Sequence, residues 1–283
     1  MRVKAKKLLK KISRIIEKPL ITTFVVFIFV VTVVILLSLP FYTANFIKFY
    51  EQVLVEAHGM IFDIAIIGIL LFWLNQNGEK RKEIRMYRDE IDDFRTWKSE
   101  ESAFRTVGNI KRLNRHKIYE IDLVNIYLPN VNLSHINLTN SNINSGTLIK
   151  SSFIETVLDS TRLNQTNFAD SNMNQASLKG AYANAANFEN TFLIKADFSN
   201  AFLIKTSFRG AFLMEANLSN TYLMGADFTN ASLYKADFRG AKGLTVEQLI
   251  AAKTLYLAQF DEKIMEELMK QEKYLIGLAD NNL

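Results

Sequence analysis

The groups in this chain that could do chemistry are few. Carboxylates recur at Asp197, Asp227 and Asp237, and two of them brought together could serve as a general acid and base. Each stands at the same place in a repeated pattern, among the Ser, Asn and Asp of turn segments. Repetition alone therefore brings carboxylates near one another, and their proximity is no sign of a site. His58, His116 and His135 are scattered without ligand spacing. The chain has no cysteine, which removes disulfides and thiolate metal sites and suits a reducing compartment. Nucleophile–base constellations, glycine-rich phosphate loops, HExxH and CxxC are all missing. These residues predict no enzyme, no cofactor and no metal.

Two acids do call for an explanation. Glu56 and Asp63 lie in the run "LVEAHGMIFDIAIIGILLFWL", Leu54 to Leu74. Seven residues apart, they share one helical stripe with Gly59, Met60, Ile67 and Leu70. An ionisable group inside a membrane costs about 2.5–3.5 kcal/mol on insertion scales. Facing the centre of an oligomer, rings of acid would favour cation passage. In a shallow span Asp63 would instead reach the outer headgroups. Protonated, it would bond across to Thr22, Thr23 or Thr32.

The elements that must position these groups fall into two halves. "LITTFVVFIFVVTVVILLSL", Leu20 to Leu39, is uncharged and long enough to cross about 30 Å of hydrocarbon. With Leu54 to Leu74 it predicts a two-helix transmembrane domain over 19–75. Eight basic residues between Arg2 and Lys18 precede it, and Lys80, Arg81, Lys82, Arg85 and Arg88 follow it; the connecting stretch has only Lys48. That asymmetry puts both termini on the cytoplasmic side. The lipid bilayer is thus the first expected partner. Residues 1–18 form a basic amphipathic segment, which either lies on anionic lipid or only sets the topology. Over 76–116 a charged helical neck is expected, with Ile84, Tyr87, Ile91 and Phe94 at the spacing of a coiled-coil seam. The same residues would serve a helix folded against its own chain.

From Leu123 to Phe238 a large apolar residue returns every fifth position for 24 repeats, broken in size only by Ala183. Five residues fit neither helix nor strand, so the chain must turn a corner every five residues and stack on itself as a solenoid. The position two before each centre is mostly Ala, Ser or Thr. Units such as Ala196-Asp197-Phe198-Ser199-Asn200 and Ala226-Asp227-Phe228-Thr229-Asn230 resemble the pentapeptide-repeat family, with its A(D/N)Lxx motif. The resemblance implies an all-β, right-handed quadrilateral β-helix of 20 residues per coil over 117–242. Ile121, Ile126, Val131 and Ile136 depart from the motif, and wider or less regular coils are expected there. A C-terminal helical cap is expected over 243–283. It holds a capping box at Thr245 and Gln248, then a helix from Asp261 to Lys273. Ile264, Leu268 and Tyr274 are expected to rest on the last coil.

A second rhythm, of ten, runs along the outward positions. Tyr182, Phe192, Phe202, Phe212 and Tyr222 alternate with polar residues, and Ile194, Ile204, Met214 and Met224 accompany the aromatic set. On a four-sided coil Tyr182, Phe202 and Tyr222 climb one face, and Phe192, Phe212 and Tyr234 the opposite one. Contiguous apolar strips of this kind mark interaction surfaces. They predict binding of another protein or of further copies of the chain, as a homo-oligomer. Some pentapeptide-repeat proteins mimic duplex DNA and act on DNA gyrase, a role that needs an acidic rod. From Lys117 to Ala241 there are nine Lys or Arg against ten Asp or Glu, so no nucleic-acid-like role is expected. The whole reads as a non-enzymatic, multi-pass protein of a bacterial inner membrane; the alternative is an oligomeric pore or membrane-disrupting effector.

Overall fold

The computed structural model describes residues 27–29, 31–36 and 46–271. The chain divides into two compact units, Met1–Asn77 and Gly78–Leu283. In the first, residues 27–29 and 31–36 are helical. Helix α1, Phe46–Phe94, begins there and ends in the second unit. By length and composition it is the one helix among the described residues able to cross a membrane. From Met60 to Leu74 its apolar side chains, such as Ile61, Phe62, Ile69 and Phe72, are exposed. Most of the apolar run Leu20 to Leu39, and all of the basic segment 1–18, lie outside the described residues. The stretch that connects the two apolar runs is helical from Phe46.

The second unit is built on the five-residue period. Bridges join each side to the side 20 residues on, always parallel, from Asp122↔Asn142 to Tyr222↔Lys242. Every centre from Leu123 to Phe238 is buried. Corners follow from one backbone choice. Asn200, for example, has φ 62, and Ala201 N–H donates to Phe198 O across it at 2.9 Å. A positive φ at the second turn residue alone is the type II pattern, which favours Gly and Asn; Gly180, Gly210, Gly225 and many asparagines fill these corners.

The small position two before each centre has a second task. Thr156, Thr161, Thr166, Ser171, Thr191 and Thr206 are buried, and each hydroxyl donates to the carbonyl of a centre 23 residues back, at 2.8–3.0 Å. Burying a hydroxyl without a partner is costly; here it ties one coil to the next. Phenylalanine centres stack inside one wall, with Phe168, Phe188, Phe208 and Phe228 successively 5.3 Å apart.

Three expectations are corrected. Coils 123–148 are not wider: the 20-residue register holds from Asp122. Ile121 and Ile126 are buried and Val131 and Ile136 half-buried because no coil lies beneath the first one. Their bulk joins the core with Val107, Ile110 and Leu113 of helix α2, Glu100–Arg115.

The neck is two helices rather than one. Ser99 caps α2 by accepting from Ser102 N–H, and the chain breaks after Phe94. Its seam is buried within the chain: Ile91 is 1% exposed, and Ile84 and Tyr87 pack on the same core. Phe94 meets Trp97 edge-on at 5.3 Å, with the Arg105 guanidinium over its ring. Arg95 reaches Asp122 of the first coil at 3.1 Å and also bonds Asp92.

The winding does not stop at Lys242. Ser232↔Thr254 and Asp237↔Gln259 continue it in a register of 22. The two extra residues belong to a detour through helix α3, Val246–Ile250. Gly243 makes the detour possible: its φ is 73, and a Cβ there would meet Met224 Cβ at 3.0 Å. Thr245 and Gln248 form the expected capping box, and Gln248 also donates to Leu223 O and Ala226 O. Leu255 and Phe260 are two further centres, Phe260 stacking on Phe238 at 5.3 Å. In helix α4, Glu262–Gln271, Leu268 is buried and Ile264 and Met265 pack on the core. Tyr274 lies outside the described residues.

Candidate functional site

Since the interior is filled, chemistry can only be on the outside of the coil. Each wall presents two columns, one just before the centres and one just after. Wall 1 carries Asp122, Asn142, Arg162, Tyr182, Phe202, Tyr222 and Lys242 before its centres, successive residues being bridged. Tyr182 stacks on Phe202, and Phe202 on Tyr222, each pair 4.8 Å apart and parallel within 3°. Lys242 closes the ladder, its ammonium 4.9 Å from the Tyr222 ring centroid. Above Val124 the column after the centres is polar. Asn164 and Asn184 each donate from Nδ2 to the asparagine one coil below, Asn144 and Asn164, at 3.2 and 3.0 Å. It then turns apolar at Ile204 and Met224.

Wall 3 has Phe192 stacked on Phe212, also at 4.8 Å. Beside them run Ile194, Met214 and Tyr234. Tyr234 shares the wall with Phe192 and Phe212, but in the column after the centres. Above Phe212 stands Ser232, and above Tyr234 stands Tyr256, ring to ring at 5.8 Å. Tyr256 escaped the sequence reading because α3 shifts it out of phase. Exposure is substantial for Tyr182 (44%), Phe192 (42%), Phe212 (37%) and Met224 (60%). Phe202, Tyr222, Ile194, Ile204, Met214 and Tyr234 are half-buried between their neighbours.

Over the coils where walls 1 and 3 are aromatic, the columns of walls 2 and 4 carry charges. Arg209 bonds Asp227 at 3.2 Å, and Lys179 pairs with Asp197 at 3.4 Å. Arg239 grips Asp237 with two bonds of 2.9 and 2.7 Å, holding that carboxyl below the usual range. Asp197, Asp227 and Asp237 each accept the backbone N–H two residues on. The recurring carboxylates are thus turn-closing groups, as their spacing implies. Among the described residues no cluster of His, Asp or Glu could hold a metal ion.

In the first unit Glu56 and Asp63 are both exposed on α1. Thr32 donates to Ile28 O in its own helix at 2.8 Å; Thr22 and Thr23 lie outside the described residues. The seam residues Ile84, Tyr87 and Ile91 pack on the core of their own chain, and Phe94 packs on Trp97. The structure therefore brings the wall residues together as ladders and takes the seam out of the candidate set.

The family model for pentapeptide repeats matches in eight copies over residues 151–190, 176–220 and 213–242. The coils before 151, where bulky Ile and Val replace the small residue, fall outside those matches. No curated protein matches the chain in sequence. Solved structures do. A pentapeptide repeat protein from Nostoc is 29% identical, over 39% of this chain and 84% of that one, with a TM-score of 0.29. One from the Arabidopsis thaliana thylakoid lumen is 25% identical, over 44% and 79%, with a TM-score of 0.28. HetL, a Nostoc protein involved in heterocyst differentiation regulation, is 25% identical, over 53% and 78%, with a TM-score of 0.27. With eight repeat copies matched on a coil of four five-residue sides, residues 151–242 of this chain are pentapeptide repeats.

Proposed function

We propose that this is a membrane-anchored, non-enzymatic interaction protein whose rod binds protein, first of all further copies of itself, through walls 1 and 3. One observation carries the reading. Walls 1 and 3 expose stacked aromatic ladders flanked by Ile and Met, while walls 2 and 4 of the same coil expose paired charges. Packing of the interior does not ask for this difference, and apolar strips of this size are commonly interaction sites. Anchoring rests on the exposed apolar length of α1 and on the uncharged run Leu20 to Leu39. The basic residues flanking the two runs favour a bacterial inner membrane with both termini in the cytoplasm. α3, the coil 251–260 and α4 act as the cap of the rod, a role that solenoid ends require. The near-neutral rod argues against a nucleic-acid partner.

The test is the mass of the full-length protein in lipid nanodiscs. Several copies per particle are expected. A particle holding one copy would refute self-association.

The exposed stripe of Glu56 and Asp63 supports a second reading, a pore in which these acids face the centre. Planar-bilayer recording then shows a cation conductance that Asp63→Asn changes. No conductance, or one indifferent to that substitution, removes this reading.

A further inference from the structure

We infer that the occupant of wall 3 is wall 1 of a second copy, set beside the first with the rods parallel and at one level. The inference rests on the reading of the walls as protein-binding and adds the partner and its register. Because a coil closes on itself, walls 1 and 3 run in opposite directions around it. A second copy displaced sideways without rotation lays its wall 1 on the first copy's wall 3 with the chain directions opposed. The column before the centres on one wall then faces the column after the centres on the other. Phe192 and Phe212 of one copy face Ile204 and Met224 of the next. Tyr182, Phe202 and Tyr222 face Ile194, Met214 and Tyr234. In both halves of the contact aromatic rings meet aliphatic and thioether side chains, with Asn184 at the foot and Tyr234 at the top as the exceptions, and sulfur at a ring edge is a favourable pairing.

The heights match as well. Rings on each wall repeat every 4.8 Å. Walls 1 and 3 are ten residues apart on a 20-residue coil, a stagger of about 2.4 Å at strand spacing. Between copies at one level, Ile194 falls between Tyr182 and Phe202, Met214 between Phe202 and Tyr222, and Phe212 between Ile204 and Met224. Each rung enters a gap. The alternative of wall 1 on wall 1, about a two-fold axis parallel to the rods, puts Phe202 level with Ile204 and leaves wall 3 bare.

Charge agrees. From Tyr182 to Met224 the two columns of wall 1 hold only Tyr, Asn, Phe, Ile and Met, and those of wall 3 from Phe192 to Tyr234 hold only Phe, Ile, Met, Ser and Tyr. At the rim Lys195 already pairs with Glu215 of its own chain at 3.6 Å. Lys235 lies over the Tyr234 ring, 5.2 Å from its centroid; an uncharged partner wall adds no further ion to these columns, whereas a charged one would bring ions with no partner. Three coils of wall are about 14 Å tall, a footprint of a few hundred Å² against the ~800 Å² per partner of a stable free pair. The contact is therefore weak between rods in solution and gains from confinement of the chains to one membrane. Each copy offers both walls, so the contact is heterologous and extends into a ring or a row.

The chain has no cysteine, which allows a direct test. Full-length Ile204→Cys and Phe212→Cys proteins are placed in the same nanodiscs, alone and mixed, and treated with a short bifunctional maleimide. The mixture is expected to give a cross-linked dimer and neither protein alone to do so; a chain carrying both substitutions gives a ladder of multimers. Ser207→Cys with Asn217→Cys, on the polar walls, gives no product. Self-cross-linking of either single variant overturns the register in favour of a two-fold contact. Multi-copy particles without the 204–212 product overturn it while self-association stands. Single-copy particles overturn both. Circular dichroism of each variant, unchanged from the parent, excludes misfolding as the cause.

Discussion

Walls 1 and 2 of this rod share a backbone, a register and a buried column of centres, yet they face the surroundings differently. Wall 1 shows Tyr182, Phe202 and Tyr222 in a stack; wall 2 shows Asn187, Ser207 and Asp227 at the equivalent places. The buried positions on both are closed to solvent. Walls 3 and 4 repeat the contrast. The fold is therefore written in the inner positions and is indifferent to the wall, while whatever the rod recognises is written in the outer columns.

That contrast can be broken most forcefully from inside. Leu213→Ala, under wall 3, and Leu218→Ala, under wall 4, each remove a fully buried side chain. Both should cost about 2.7–5.0 kcal/mol in denaturant unfolding of the full chain. A large difference between them would mean that the walls are not equivalent inside. At the foot of the rod, Ile91→Ala should cost about 2–5 kcal/mol, independently of protein concentration, because its partners are in the same chain. A concentration-dependent loss would restore the coiled-coil reading. Thr206→Val keeps the shape but removes the donor to Ala183 O, at about 1 kcal/mol.

The smallest effect is on a polar wall. Arg239 bonding holds Asp237 below the usual carboxylate range of the unfolded chain. The folded state then binds fewer protons, so this contribution is complete above the unfolded pKa and is lost as pH falls through the lowered one. Asp237→Asn should flatten that acid decline slightly in thermal unfolding between about pH 5 and 2. An unaltered decline would show that the pair does not act on stability.

The coil was legible from residues because one phase runs unbroken from Leu123 to Phe238, and only a cornered chain can keep such a phase on one side. The aromatic walls were legible for the same reason, once four sides were assumed. Other parts were hidden by physics that a pattern does not carry. Ile84, Tyr87, Ile91 and Phe94 have the same 3-4-3 spacing whether the surface they meet is another helix of a coiled coil or their own chain. Leu255 and Phe260 follow Phe238 out of phase by two, since α3 interrupts the wall after Gly243. Ile121 and Ile126 read as misfits in a coil interior, yet they suit an end that has no coil below it.

We propose that the outer columns of walls 1 and 3, and not those of 2 and 4, hold copies together. The most direct measurement compares particle masses of two full-length double variants in nanodiscs: Phe202→Asp with Phe212→Asp, and Ser207→Asp with Asn217→Asp. Single copies are expected for the first pair and the parent's multi-copy particles for the second. Equal masses for both variants and the parent would contradict it.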